Sequence, residues 1–330
     1  MSALRSRLFI RNFTNTGYRK PFHNKVKSGN YTPTPSGWDH VYGLSSVLSA
    51  LQSKKRSVLD TVYILESDEK KTTQKKDASL MDEILQLTKA ASIYTVAVDK
   101  GRLNNLTENK THQGVVLKAS PREPVEISAL STLKENEYEA LPRINKRGSE
   151  QDRESSSQKE VAPISFQKSN RMPFWIALDE VQDPQNLGSI LRTAHFFGVD
   201  GVLLCSKNSA PLSPAVSKVS SGAIEMMDIY STPNLVKFLK ESNENGWQII
   251  GAAGDANPSI NLTQFRENTS EKPVILVLGN EGTGLRTNVK NGCQSFVSIP
   301  NACKDKFHGA VDSLNVGVAA GVLISTAISQ

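Results

Sequence analysis

Cysteine is scarce in this 330-residue chain: Cys205, Cys293 and Cys303 are the only three, and no two have C-x-x-C spacing. That excludes a disulfide framework and a cysteine-based zinc site, and it suits a reducing compartment. Apolar residues make up 38%, yet no apolar run approaches the roughly 20 residues that a membrane-spanning helix needs. Acidic residues are missing from the first 38 positions; the first is Asp39. That stretch instead carries Arg5, Arg7, Arg11, Arg19, Lys20, Lys25 and Lys27, with Leu4, Leu8, Phe9 and Ile10 among serines and threonines. An amphipathic, arginine-rich, acid-poor N-terminus has the composition of a mitochondrial transit peptide, with a basic arm on RNA phosphates as the alternative. Residues 1–37 are therefore assigned to a transit peptide and a Pro/Gly-punctuated linker ending in YTPTPSG.

The net charge of +6 and pI near 9.1 permit a polyanionic partner. A length of 330 residues suits about two domains. Residues 38–121 read as a small α/β domain. Val41, Leu44, Leu48 and Leu51 fall at helical spacing behind Asp39 as N-cap, Val58–Leu65 and Ile93–Val98 read as strands, and Leu80, Ile84, Leu87 and Ala91 line a second helix. A lysine-rich insertion, Ser67–Lys76, separates two of these elements. Residues 122–171 are charged and serine-rich, with Ser155–Glu160 the extreme, and read as a flexible linker. From Pro173 strands and helices alternate: Phe174–Leu178, Asn186–Phe197, Gly201–Cys205, Asn234–Leu239, Trp247–Ala252, Val274–Leu278, Phe296–Ile299 and a last helix from near Asp312, with Leu314, Val318, Gly321, Val322 and Ile328 inward. Repeated βα units imply a parallel, doubly wound sheet.

Candidate chemistry gathers at three predicted strand ends, where open α/β sheets bind ligands. The first is Asp183–Gly188 with Arg192; Asn186 there reads equally well as an N-cap. The second is Gly279-Asn280-Glu281-Gly282-Thr283-Gly284, whose glycines allow close backbone approach to a ligand or simply a tight turn. The third runs from Ile299-Pro300 to Ser313-Leu314-Asn315-Val316.

Together, N-x-G-x-x-x-R (Asn186, Gly188, Arg192), L-G-N-E-G-x-G (Leu278–Gly284) and I-P…S-L-N-V (Ile299–Val316) resemble the SpoU, or TrmH-like, branch of the SPOUT RNA methyltransferases over residues 174–329. Val41-Tyr42-Gly43 with Val47 and Ala50-Leu51, and His112-Gln113-Gly114-Val115, resemble that family's ribosomal-protein-like substrate-binding domain. The resemblance implies a C-terminal parallel sheet domain (172–330) tied in a deep trefoil knot, and a homodimer. It also implies metal-free methyl transfer from S-adenosylmethionine to a ribose 2'-hydroxyl. By the same resemblance Gly279, Ile299 and Leu314 hold the adenine; Arg192 acts on the nucleophile; and Asn186, Glu281, Ser313 and Asn315 complete the site. The implied substrate is a guanosine in the peptidyl-transferase region of mitochondrial large-subunit rRNA, acted on in the matrix. A tRNA substrate, or a non-catalytic role in mitoribosome assembly, are the alternatives. Two departures from the family stand out. The connection Asn301–Asp312, containing His308, is longer than usual, and Gly317 replaces a common serine, which should loosen the start of the last helix.

Overall fold

The apolar run Val274–Leu278 forms a strand with all five residues buried, and the chain builds outward from runs of this kind. The computed structural model describes residues 37–66, 75–143, 162–254, 256–302 and 313–329. The proposed transit peptide, Ser155–Glu160, Cys303, His308 and most of the Ser67–Lys76 insertion lie outside the described residues. The chain divides into two compact units, Met1–Pro121 and Arg122–Gln330.

In the first unit, β1 (Asp39–Tyr42), β2 (Leu59–Leu65), β3 (Tyr94–Val98) and β4 (Val115–Ala119) form a sheet in the order β1-β4-β2-β3, with β4 antiparallel to both neighbours. Helices α1 (Leu44–Ser53) and α2 (Lys75–Ala90) cover one face through Leu44, Leu48, Leu51 and Ile84. The shorter α3 (Lys100–Leu106) lies on the other through Leu103 and Leu106. Asp39 is not the cap of a helix, as the spacing predicts. It sits in β1, wholly buried, and pairs with the equally buried Arg56 at 2.8 Å; Gly43, at φ +90°, makes the turn into α1 instead. A strand-to-helix turn that needs positive φ explains why glycine follows Val41-Tyr42.

The second unit holds one ten-stranded sheet among the described residues, in the order β12-β14-β11-β13-β8-β9-β10-β5-β6-β7. Its strands are β5 (Val125–Leu130), β6 (Glu137–Pro142), β7 (Ile164–Gln167), β8 (Phe174–Leu178), β9 (Gly201–Cys205), β10 (Ile229–Thr232), β11 (Gln248–Ala252), β12 (Ser259–Ile260), β13 (Val274–Leu278) and β14 (Ser295–Val297). Helices α4 (Pro184–Phe197), α5 (Pro214–Val219), α6 (Ala223–Met226), α7 (Leu235–Glu244), α8 (Leu262–Glu271), α9 (Thr287–Lys290) and α10 (Val316–Ile328) connect them and cover both faces. Pairing is parallel from β12 to β5 and antiparallel across β5-β6-β7. The sheet is thus mixed rather than purely parallel, and the linker assigned to 122–171 is corrected over β5, β6 and β7. Tyr138 and Phe166 from these strands stack at 4.9 Å, and the Trp175 indole N–H donates to the Tyr138 hydroxyl at 3.0 Å. Burial of Tyr138 outweighs that hydrogen bond and pushes its phenol well above the ordinary range.

Two helix boundaries also differ from expectation. The cap of α4 is Asp183, whose carboxylate accepts the Gln185 N–H at 2.9 Å, with Pro184 in the first turn, so Asn186 is free for other work. α10 starts at Val316, capped by Asn315, and turns Gly317, Ala320, Leu323 and Ile324 inward. Leu314 and Val318, expected inside, are 49% and 54% exposed.

Candidate active site

All three motifs converge at the carboxyl ends of the central strands. The loop after β13 closes on itself: Asn280 and Gly284 exchange backbone hydrogen bonds, each 3.0 Å, and the Asn280 carboxamide oxygen accepts the Gly282 N–H at 2.8 Å. This closure explains the first glycine. A Cβ on Gly279 would lie 2.4 Å from the Gly284 carbonyl carbon and 2.5 Å from the Leu285 nitrogen. Gly279→Ala is therefore expected to force the loop open and cost roughly 1–3 kcal/mol by overpacking, measurable as a lowered urea midpoint.

From this loop Glu281 reaches α4. The Asn186 side-chain N–H donates to Glu281 Oε1 at 2.8 Å, and Asn315 Nδ2 donates to Asn186 Oδ1, also at 2.8 Å. The other atom of the Asn315 amide accepts the Gly317 and Val318 N–H groups at 2.9 and 3.3 Å, capping α10. One buried amide, Asn186, thereby ties together residues 95 and 129 positions away. Gly317 tightens this joint rather than loosening it. A Cβ there would stand 2.2 Å from the Ser189 hydroxyl oxygen, and that hydroxyl donates to the Asn186 carbonyl at 3.1 Å.

Arg192 sits apart from this network. It is exposed and makes no hydrogen bond or ion pair among the described residues. Six residues along a helix amount to about 600° of rotation, so Arg192 points roughly 120° away from Asn186. Ser313 and Leu314 are exposed just before the α10 cap, Ile299 is half-buried beyond β14, and Gly279 is buried.

The sequence did not single out a second clamp on the same loop. Asp179, fully buried directly after β8, accepts the Arg286 backbone N–H at 3.1 Å and its Nε at 2.8 Å, with Nη2 at 2.6 Å. Arg286 also pairs with Glu180 at 3.1 Å, and Asn280 donates to the Glu180 carbonyl at 3.0 Å. Glu180 has φ +62°, a left-handed conformation that non-glycine residues hold only when neighbours fix it. Burial opposes the charge on Arg286, but the hydrogen bond and charge of Asp179 outweigh it and raise its pKa. The available signal was an acid placed immediately after an apolar run and an arginine two residues after the last loop glycine.

Nearby, Cys205 and Cys293 are free thiols, and burial pushes that of Cys293 up to about 12.

Residues 173–325 match the SpoU rRNA Methylase family, and residues 40–125 match its RNA 2'-O ribose methyltransferase substrate binding domain. The mitochondrial rRNA methyltransferase 1 of Schizosaccharomyces pombe is 35% identical, aligned over 88% of this chain and 90% of its own length. The chain belongs to the SpoU methylase family. The Dictyostelium discoideum protein of the same name is also 35% identical, over 79% of this chain, which spans only 48% of that relative. The 23S rRNA (guanosine-2'-O-)-methyltransferase RlmB of Haemophilus ducreyi is 30% identical over 88% of this chain and 98% of its own. The fold matches the AdoMet-bound rRNA methyltransferase of Sinorhizobium meliloti, with TM-score 0.60, 20% identity, and coverage of 88% of this chain and 87% of that one. In this SpoU protein the fold brings Glu281, Asn186 and Asn315 together, with Asn186 at the centre.

Proposed function

We propose that this protein transfers a methyl group from S-adenosylmethionine to the ribose 2'-hydroxyl of a guanosine in mitochondrial large-subunit rRNA, in the peptidyl-transferase region. The observation that carries the proposal is the Glu281–Asn186–Asn315 chain, which joins three strand-end motifs at one place. The mitochondrial and guanosine-2'-O names of the relatives support an rRNA substrate and a mitochondrial location, and the proposal places the protein in the matrix.

The strand ends fit S-adenosylmethionine. Leu314 leaves an apolar surface uncovered beside the Asn315 cap, a setting suited to a flat adenine, and Gly279 lies at the same strand ends, packed against the Gly284 and Leu285 backbone. Gly279, Ile299 and Leu314 would hold that ring. S-adenosylmethionine would supply an electrophilic sulfonium methyl, so no metal is needed to activate the methyl carbon. What the protein must do is orient a weak nucleophile and stabilise charge growing on its oxygen as the proton leaves. Arg192 suits the second task. A guanidinium stays protonated, so it serves as a phosphate anchor and electrostatic stabiliser, not as a base. Its exposure leaves it available to RNA. Asn186, Glu281 and Asn315 act by fixing the loop and the start of α10, and Ser313 lines the approach.

Homodimerisation belongs to the same proposal. Phe196 of α4 is 81% exposed and Val318 of the neighbouring α10 is 54% exposed, an apolar surface on two packed helices that a second copy would cover. A knotted C-terminus is also inferred. It is supported by the position of β13, which follows β11 in sequence yet inserts between β11 and β8, while β14 continues outside β11.

The test is transfer of tritiated methyl from S-adenosylmethionine to transcripts of mitochondrial large-subunit rRNA and tRNA. Label is expected in the rRNA, and Arg192→Ala is expected to reduce it by about 100-fold or more, the scale of losing one charge-stabilising donor. Label confined to tRNA would overturn the substrate. Absence of label in both, with normal ribosome assembly supported by Arg192→Ala, would replace the enzyme with an assembly factor.

A further inference from the structure

One face of the N-terminal sheet carries cations and aromatic rings where its helical cover is thin. The strand register places His40 beside Lys118, Lys118 beside Thr61 and Thr61 beside Tyr94, one row across all four strands. The next row, Tyr42, Val116, Tyr63 and Val96, packs largely under α3 through Leu103 and Leu106. Little covers the first row's outer end: Tyr94, on the edge strand β3, is 78% exposed and Val96 beside it 40%. At the other end the Lys118 ammonium lies 4.4 Å from the centroid of the half-buried Trp38 ring, and it pairs with Asp60 at 2.9 Å. The His40 pKa is lowered by burial first and then by the positive charge of Lys118, with Arg102 adding to it and Asp39 opposing, so cations gather around this ring.

We propose that this sheet face is a stacking platform for a single-stranded stretch of RNA, with a base on Tyr94, a second toward Trp38, and phosphates beside Lys118 and Arg102. Four strands spaced about 4.8 Å apart separate the two ends of the row by roughly 14 Å, and a four-stranded sheet with exposed rings takes two or three bases in this way. Rings accept any base by its π-face while cations follow the backbone, so the platform supplies affinity without reading sequence. This suits a unit that must hold a long RNA and leave the choice of nucleotide to another site. The match of residues 40–125 to a substrate-binding domain agrees, and the choice of RNA as occupant rests on the methyltransferase reading.

The experiment uses the full chain and a fluorescent large-subunit rRNA transcript, comparing wild type with Tyr94→Ala, Tyr94→Phe and Arg102→Ala over a range of salt. Tyr94→Ala is expected to weaken binding roughly tenfold with unchanged thermal stability, while Tyr94→Phe, which keeps the ring, stays within about twofold. Arg102→Ala should lower the slope of log affinity against log salt by about 0.7, the value of one phosphate on a single strand. Wild-type affinity and salt slope in Tyr94→Ala and Arg102→Ala would overturn the platform. So would a Tyr94→Ala variant whose sedimentation mass changes while its RNA affinity does not, which would assign the face to a second copy of the chain. Methyl transfer to the same transcript separates this idea from the reading on which it rests. A wild type that methylates, with Tyr94→Ala sharing its KM for RNA, overturns the platform alone. Binding that depends on Tyr94 without any methyl transfer overturns the enzymatic reading alone.

Discussion

Asn186→Asp is expected to reduce methyl transfer about 100-fold while leaving the protein folded. The substitution is nearly isosteric and keeps the oxygen that accepts from Asn315. It removes the N–H that donates to Glu281 and sets a carboxylate 2.8 Å from another. Two like charges at that distance repel. Glu281 is exposed and can swing into solvent, so the conflict resolves by opening the loop rather than unfolding the domain. Misplacing a site by about an ångström costs on the order of 100-fold in rate, which sets the magnitude. Asn186→Ala loses both bonds and should be at least as slow. The check is kcat/KM for RNA methylation beside a thermal melt. Wild-type activity in Asn186→Asp would show that the bridge is incidental to the chemistry.

Asp179→Ala is expected to act mainly on stability. The carboxylate is fully buried, and its loss leaves the partly exposed Arg286 guanidinium with Glu180 alone and loosens the Glu180 turn. Removing one partner of a fully buried pair costs about 3–5 kcal/mol; with Arg286 partly exposed and still paired with Glu180, the loss expected here is roughly 2–3 kcal/mol. For a unit of this size that is several degrees in Tm. Replacing both residues, Asp179→Ala with Arg286→Leu, removes the guanidinium charge and should recover part of the loss, so the double variant melts above Asp179→Ala. Equal melting of the two would mean that the pair is not coupled. Cofactor affinity should fall with Asp179→Ala as well, because the clamp holds the loop that contains Gly279.

The strands that position the site could be read from the sequence because each is a short, wholly apolar run closed by glycine or a polar turn; Phe174–Leu178 and Val274–Leu278 are the clearest. The motif residues Asn186, Glu281 and Asn315 could be read only through their joint order, since each alone is an adequate cap or turn residue. Three things escaped. Strands β5 to β7 bury mainly one face, with Ile127, Tyr138, Ala140 and Phe166 spaced among polar and charged residues, so their composition resembles that of the linker around them. The Asp179–Arg286 and Asp39–Arg56 pairs are contacts between distant positions, which local pattern does not record. The phase of α10 was misread because nearly every residue in it is apolar, and an all-round apolar helix does not announce its buried side. Leu314 precedes that helix and Val318 lies on its outer side, both exposed, and covering them is the proposed role of cofactor and dimer partner.

The most direct test of the central claim is mass spectrometry of nuclease digests of the large-subunit rRNA transcript after incubation with S-adenosylmethionine, comparing wild type with Asn186→Asp. The account predicts a single 2'-O-methylguanosine made by the wild type and nearly absent with the variant. A methyl group on a base, or equal ribose methylation by both proteins, would contradict it.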